Sequence, residues 1–79
     1  MEKIIEDRID KALSEKIHCR IRYYFEIGKM NHTRILTGYV IDNGNEVVVF
    51  KDKNNDEIMI KKSEIISIDL IGLRGNYNE

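Results

Sequence analysis

Residues 17 to 25, IHCRIRYYF, gather the densest group of chemically capable side chains in the sequence. Read with a period of two, they split into two rows. Ile17, Cys19, Ile21, Tyr23 and Phe25 form an apolar row suited to the inner face of a strand. His18, Arg20, Arg22 and Tyr24 form a basic and aromatic row on the opposite face. Arginine makes bidentate contacts to phosphate oxygens, and a tyrosine ring stacks on a nucleobase. The second row is therefore a candidate binding surface for a ligand with phosphates and a flat ring. A homo-oligomer would repeat the row around a symmetry axis and concentrate its charge. The plainer alternative is a solvated strand face whose arginines pair with Glu26, Asp42 or Glu46.

A second group lies in KMNHTR, residues 29 to 34. Read as part of a loop, it offers Lys29, Asn31, His32 and Arg34 to a ligand, because loops often carry binding residues. His32 and Arg34 join the candidate ligand-binding set on that ground. A solvated hairpin tip is again the plainer alternative. Cys19 sits on the apolar row, where a buried structural thiol is expected and nothing local would lower its pKa. Acidic residues are dispersed among lysines, with no paired-carboxylate pattern. No Cys/His spacing suggests zinc, and KDKNNDE lacks the spacing of a calcium loop. GxGxxG, P-loop and GxSxG patterns are absent. No catalytic residue, metal or cofactor is expected, and the reading is of a binding protein that is not an enzyme.

The chain has 79 residues, which suits one domain with a limited core. Small domains of this size are often supported by disulfides, metals or oligomerisation. A single cysteine excludes an intrachain disulfide, so self-association is the expected support. Hydrophobic residues make up 42% and charged residues 34%, a balance expected to fold. Net charge is −1, from 13 basic and 14 acidic residues, and the pI is about 6.1. That balance argues against a surface gripping long nucleic acid, and leaves room for a local basic patch facing a few phosphates. No apolar run is long enough for a membrane helix. MEKIIEDRID is too acidic for a signal peptide, so a cytoplasmic location is expected.

The elements that must position these residues follow from periodicity. Ile5, Ile9, Ala12 and Leu13 mark an amphipathic helix over residues 3–15. From Ile17 the period changes to two. Strands are expected over 17–26, 34–42, 46–51, 57–61 and 65–71. Residues 28–33 are expected as a loop opened by Gly28, and Asn43-Gly44 as a type I′ turn. Gly38, inside the second strand, marks a bend or a close backbone approach. Residues 72–79 form a polar tail. The expected fold is mainly β: one N-terminal helix and a five-stranded, strongly bent antiparallel sheet closing into a small barrel. The helix would cap an open end with Ile5, Ile9 and Leu13. An α+β sandwich is the looser alternative.

This order of elements resembles the Sm-like fold and its bacterial Hfq-like branch. LTGYVIDNGNEVVVF is similar to the first Sm motif, with Gly38 in the bent strand and Asp42 after the hydrophobic positions. LRGN, residues 73–76, resembles the second Sm motif but follows the fifth strand instead of preceding it. KKSEIISI occupies the place of the short Hfq signature without its histidine, since Lys62, Ser63 and Glu64 stand there. A second resemblance, to the YolD-like family of Bacillus-type bacteria and their phages, covers about residues 4 to 71 through IEDRIDKAL, IRYYFEIG, LTGYVID, EVVVF and EIMIKKSEIISIDLI. The YolD-like resemblance implies either of two roles. One is a phage-type protein that sequesters a nucleotide defence signal, a cyclic nucleotide among the candidates. The other is an adaptor partnering a Y-family DNA polymerase. The Hfq-like resemblance implies RNA binding.

Overall fold

The computed structural model describes residues 3–72. Helix α1 spans Lys3–Ser14 and buries Ile5, Ile9 and Ala12 on one stripe. It ends in a Schellman motif. Lys16 takes a left-handed φ of 55°, and the Ile17 N–H donates to the Ala12 carbonyl at 3.0 Å. This reversal feeds the chain directly into strand β1, Cys19–Ile27. Strands β2 (Met30–Asn43), β3 (Val47–Asp52), β4 (Glu57–Lys61) and β5 (Ile65–Leu70) follow, with a short 3-10 turn, Lys62–Glu64, before the last.

All strand pairings are antiparallel. The order across the sheet is β4-β3-β2-β1-β5. The expected closure into a barrel does not occur: β4 and β5 are the two edges of an open sheet. The reason lies in where α1 sits. It packs against β2 and β5 over the inner face, instead of plugging an open end. The apolar face is thereby buried against a helix, and opposing strands are not needed to cover it. Ile9, Ile21, Val48, Phe50, Ile60 and Ile68 are the fully buried centre of that core.

Gly38 answers the sequence expectation of a close approach. A Cβ built there would lie 2.0 Å from the Lys51 carbonyl oxygen, so β2 and β3 meet at a distance only glycine permits. A register shift between Val40 and Asp42 follows, and a bulge of this kind re-aims the strand.

Two turns depart from expectation. The loop placed at residues 28–33 is only Gly28-Lys29, since Ile27 pairs with Met30. Gly28 has φ 64°, as the first central position of a type II′ turn requires. His32 and Arg34 are therefore strand residues. Asn43-Gly44 is not a type I′ turn either, because neither residue has a positive φ. Asn43 ends β2 in extended backbone, and its amide nitrogen donates to Glu6 at 3.1 Å and to Asp10 at 2.7 Å. The chain reverses two residues later, at Asn45-Glu46, where the Gly44 N–H donates to the Val47 carbonyl at 2.9 Å. Asp52 organises the β3–β4 turn, its carboxylate accepting from the N–H groups of Asn54 and Asp56.

Beyond Tyr23, β1 has no β5 partner, and β2 meets β3 only from Gly38 onward. Residues 24–33 thus form a two-stranded ribbon reaching past the sheet. The molecule measures 46 × 24 × 19 Å, and fourteen extended residues in β2 span about 45 Å. Gly72, the first residue of the expected tail, donates its N–H to the His18 carbonyl at 2.8 Å; the rest of that tail, 73–79, and with it the LRGN resemblance, falls outside the described residues. No described helix is long and apolar enough to cross a membrane.

Candidate functional site

The alternation of β1 places the basic-aromatic row as expected. Cys19, Ile21 and Tyr23 are buried, while Arg20, Arg22 and Tyr24 are exposed. His18, just before the strand, is half-buried. The row faces away from α1, on the side of the sheet that no described element covers. Cross-strand register adds neighbours from β2: Thr37 opposite Arg20, Ile35 opposite Arg22 and Thr33 opposite Tyr24. On the other side, β5 sets Asp69 opposite Arg20 and Ser67 opposite Arg22.

Tyr39 completes one end of this face. Its ring lies 5.2 Å from the His18 ring, tilted by 37°. The register fixes its face: Gly38 pairs with Cys19 on the core side, so Tyr39 points outward and is 46% exposed. Tyr24 marks the other end at 51% exposed. Tyr24 lies six positions beyond His18, which places the two aromatic ends about 20 Å apart along the strand.

The two arginines differ electrostatically. Arg20 reaches Asp69 at 3.8 Å, and Asp69 also lies 4.0 Å from Arg8. None of the three acids proposed from sequence supplies this partner. Asp69 does, because β5 pairs with β1, a neighbour relation the sequence does not display. Arg22 has no ion-pair partner among the described residues. Arg20, Arg22, Ile35, Ser67 and Asp69 surround a notch of about 20 Å³, room for little more than one water. The described residues around this notch leave no room for a nucleotide within it.

His32 and Arg34 do not join this row. They pair with Phe25 and Tyr23, on the opposite face of the ribbon. The Arg34 guanidinium stands 4.7 Å over the Phe25 ring, and the His32 ring lies 5.5 Å from it. A cation over an aromatic face stabilises an otherwise uncovered ribbon. The six candidate residues therefore form two groups on two faces.

A third region was not anticipated. At the N-terminal end of α1, Lys62 donates to both Glu6 carboxylate oxygens, at 3.2 and 3.1 Å. The Asn43 amide, first, and Lys62, second, hold the Glu6 carboxyl below its ordinary pKa. The Asn43 Oδ1 is buried without a hydrogen-bond partner. Glu6 and Lys62 border a groove of about 710 Å³ with Lys3, Asp7, Glu46 and Lys61. Its charges are mixed, and its core contact is an internal tie between α1 and the sheet. The only sequence signal for it was an acidic residue in the first helical turn.

Burial pushes the Cys19 thiol up to about 11, despite a backbone hydrogen bond with Val40. Cys19 is a core residue in this fold. Among the described residues no group of three or more His, Cys, Asp or Glu side chains converges to hold a metal ion. No family model matches the chain, and no curated protein or solved structure matches it either.

Proposed function

We propose that the chain is a non-enzymatic, homo-oligomeric binding protein for a small nucleotide-type ligand, held at the open face of its sheet. One observation supports this above others. Arg22 is exposed and has no ion-pair partner among the described residues, on the same face as Arg20, Tyr24 and the tilted His18–Tyr39 ring pair. Phosphate oxygens would take Arg22 and compete with Asp69 for Arg20. A flat ring would lie on Tyr24 or Tyr39. Because the described residues leave a notch of only about 20 Å³ at the arginines, a second copy would enclose the ligand, its own row supplying the opposing wall. Self-association and ligand binding are then one event. In a phage-type protein such binding removes a signalling nucleotide, a cyclic nucleotide included, without turning it over.

A single-stranded RNA segment is the second reading, and the length of the face favours it. Aromatic ends about 20 Å apart suit successive bases of a strand better than one nucleoside. An adaptor role beside a Y-family polymerase would leave the row idle.

Native mass spectrometry of the protein purified gently from its own host tests the first reading. An oligomer with retained mass in the mono- or dinucleotide range, lost in Arg20→Ala/Arg22→Ala, is the expected result. A ligand-free monomer that also fails to shift with added mono- and dinucleotides would sink it.

A further inference from the structure

We propose a second ligand site at the C-terminal end of α1, built to take a small apolar anion: a carboxylate on an alkyl or aromatic body. A groove of about 410 Å³ opens there between the helix end and the bulged part of β2. This lies near the lower end of the roughly 300–1,000 Å³ typical of small-molecule clefts. Its walls are Leu13, Val40, Ile41 and the Tyr39 ring, and its rim carries Lys16 and Lys51. Ile41 is 39% exposed, so an apolar side chain faces the groove unshielded.

Charge complementarity decides what fits. Neither Lys16 nor Lys51 has an ion-pair partner within 4.0 Å among the described residues. The nearby acids are otherwise engaged or out of reach. Glu15 is held by Lys11 at 3.0 Å, and Asp52 accepts from the Asn54 and Asp56 N–H groups. Glu57 is the cross-strand neighbour of Lys51, yet forms no bridge with it. Two ammonium groups over an apolar wall favour a ligand with one anionic head and a desolvated body.

Two backbone devices build the site. The Schellman reversal, with Lys16 at φ 55°, turns that residue back beside the last helical turn. The shift between Val40 and Asp42 tips Ile41 out of the regular alternation, so that Tyr39, Val40 and Ile41 all reach the groove. The site adjoins the sheet-face reading through Tyr39, but it does not depend on it.

Octanoate, octanol and acetate are the probes, followed by amide and methyl NMR shifts of the full chain. Octanoate is expected to shift Leu13, Val40 and Ile41. Octanol should bind about tenfold more weakly, and acetate should not bind. The double variant Lys16→Gln/Lys51→Gln should weaken octanoate about tenfold and leave octanol unchanged. Equal affinity for octanol and octanoate, or octanoate shifts centred elsewhere, would overturn the proposal. So would ligand-free contacts from Leu73 or Tyr77 to the Val40 and Ile41 methyls, which would give the groove to the chain's own C-terminal residues. Shifts at Leu13 and Ile41 that follow protein concentration alone would give it to a second copy.

Discussion

At the scale of single residues, chemistry here is decided by which side of β1 a residue faces. Cys19 and Arg20 are neighbours in sequence, yet one is fully buried and the other meets solvent. The thiol, held near 11 by desolvation, stays protonated at neutral pH and cannot act as a nucleophile. Native protein at pH 8 is expected to resist a thiol-specific reagent, with full labelling only after denaturation. Rapid labelling of the folded chain would show that the β1 inner face opens. Glu6 has the opposite environment. Its carboxyl is lowered by the Asn43 amide and by Lys62, so the folded state binds a proton less readily than the unfolded chain. Its stabilising contribution is complete above the unfolded value near 4.5 and disappears as pH falls through the lower folded value. The side chain is 36% exposed, so solvent screening holds the effect to under about 1 kcal/mol. In Glu6→Gln, denaturant unfolding should show lower stability at pH 7, with the gap to the parent closing in acid. A gap constant from pH 7 to pH 3 would mean that the carboxylate's charge is not what ties α1 to β2 and the 3-10 turn.

At the scale of elements, the sequence pattern resolved periodicity well and closure poorly. The Ile5, Ile9 and Ala12 spacing placed α1, and strict alternation from Cys19 to Tyr24 placed the two faces of β1. β4 stands where EIMIK predicted it, residues 57–61. What periodicity cannot express is which strands become neighbours. The Arg20–Asp69 pair depends on β5 lying beside β1, and the open sheet depends on α1 covering the inner face. Turn chemistry misled for a related reason. Asn43-Gly44 has the composition of a type I′ turn, but the ladder runs on through Asn43, paired with Val48, and the reversal falls at Asn45-Glu46, while Glu6 and Asp10, 37 and 33 positions away, hold the Asn43 side-chain amide. The anion groove was illegible as well, since Lys16 and Lys51 share its rim only through the reversal at the helix end and the register shift between Val40 and Asp42. One local conflict remains at the helix end. Lys16 occupies a left-handed position that glycine fills at least cost. Lys16→Gly should raise stability by about 1 kcal/mol in denaturant unfolding, and a loss would mean that its side chain packs usefully against the helix end.

At the scale of the whole molecule, charge decides between the two readings of the open face. The chain carries a net −1, so any attraction for phosphates is local to the row and is not reinforced by the rest of the surface. Arg20 and Arg22 are its two permanent cations, and Arg20 is already shared with Asp69. A small nucleotide can therefore release the counterions of about two phosphates, and the slope of log affinity against log salt should be no steeper than roughly −1.5. A strand lying along the sheet would meet further cations on the same face and on copies repeated by symmetry, and several neutralised phosphates would steepen the slope accordingly. Titrating a dinucleotide and a longer single-stranded RNA over a range of salt concentrations separates the cases. A shallow slope with no gain from added length supports a small ligand. Affinity that rises with strand length, together with a slope several units steeper, would move the assignment to RNA, with Tyr24 and Tyr39 as the two ends of a stacking track. Arg22→Ala should weaken either ligand, because Arg22 is the one of the two with no competing ion pair among the described residues. If Arg22→Ala binds both ligands as tightly as the parent, the open face serves neither, whatever the slope.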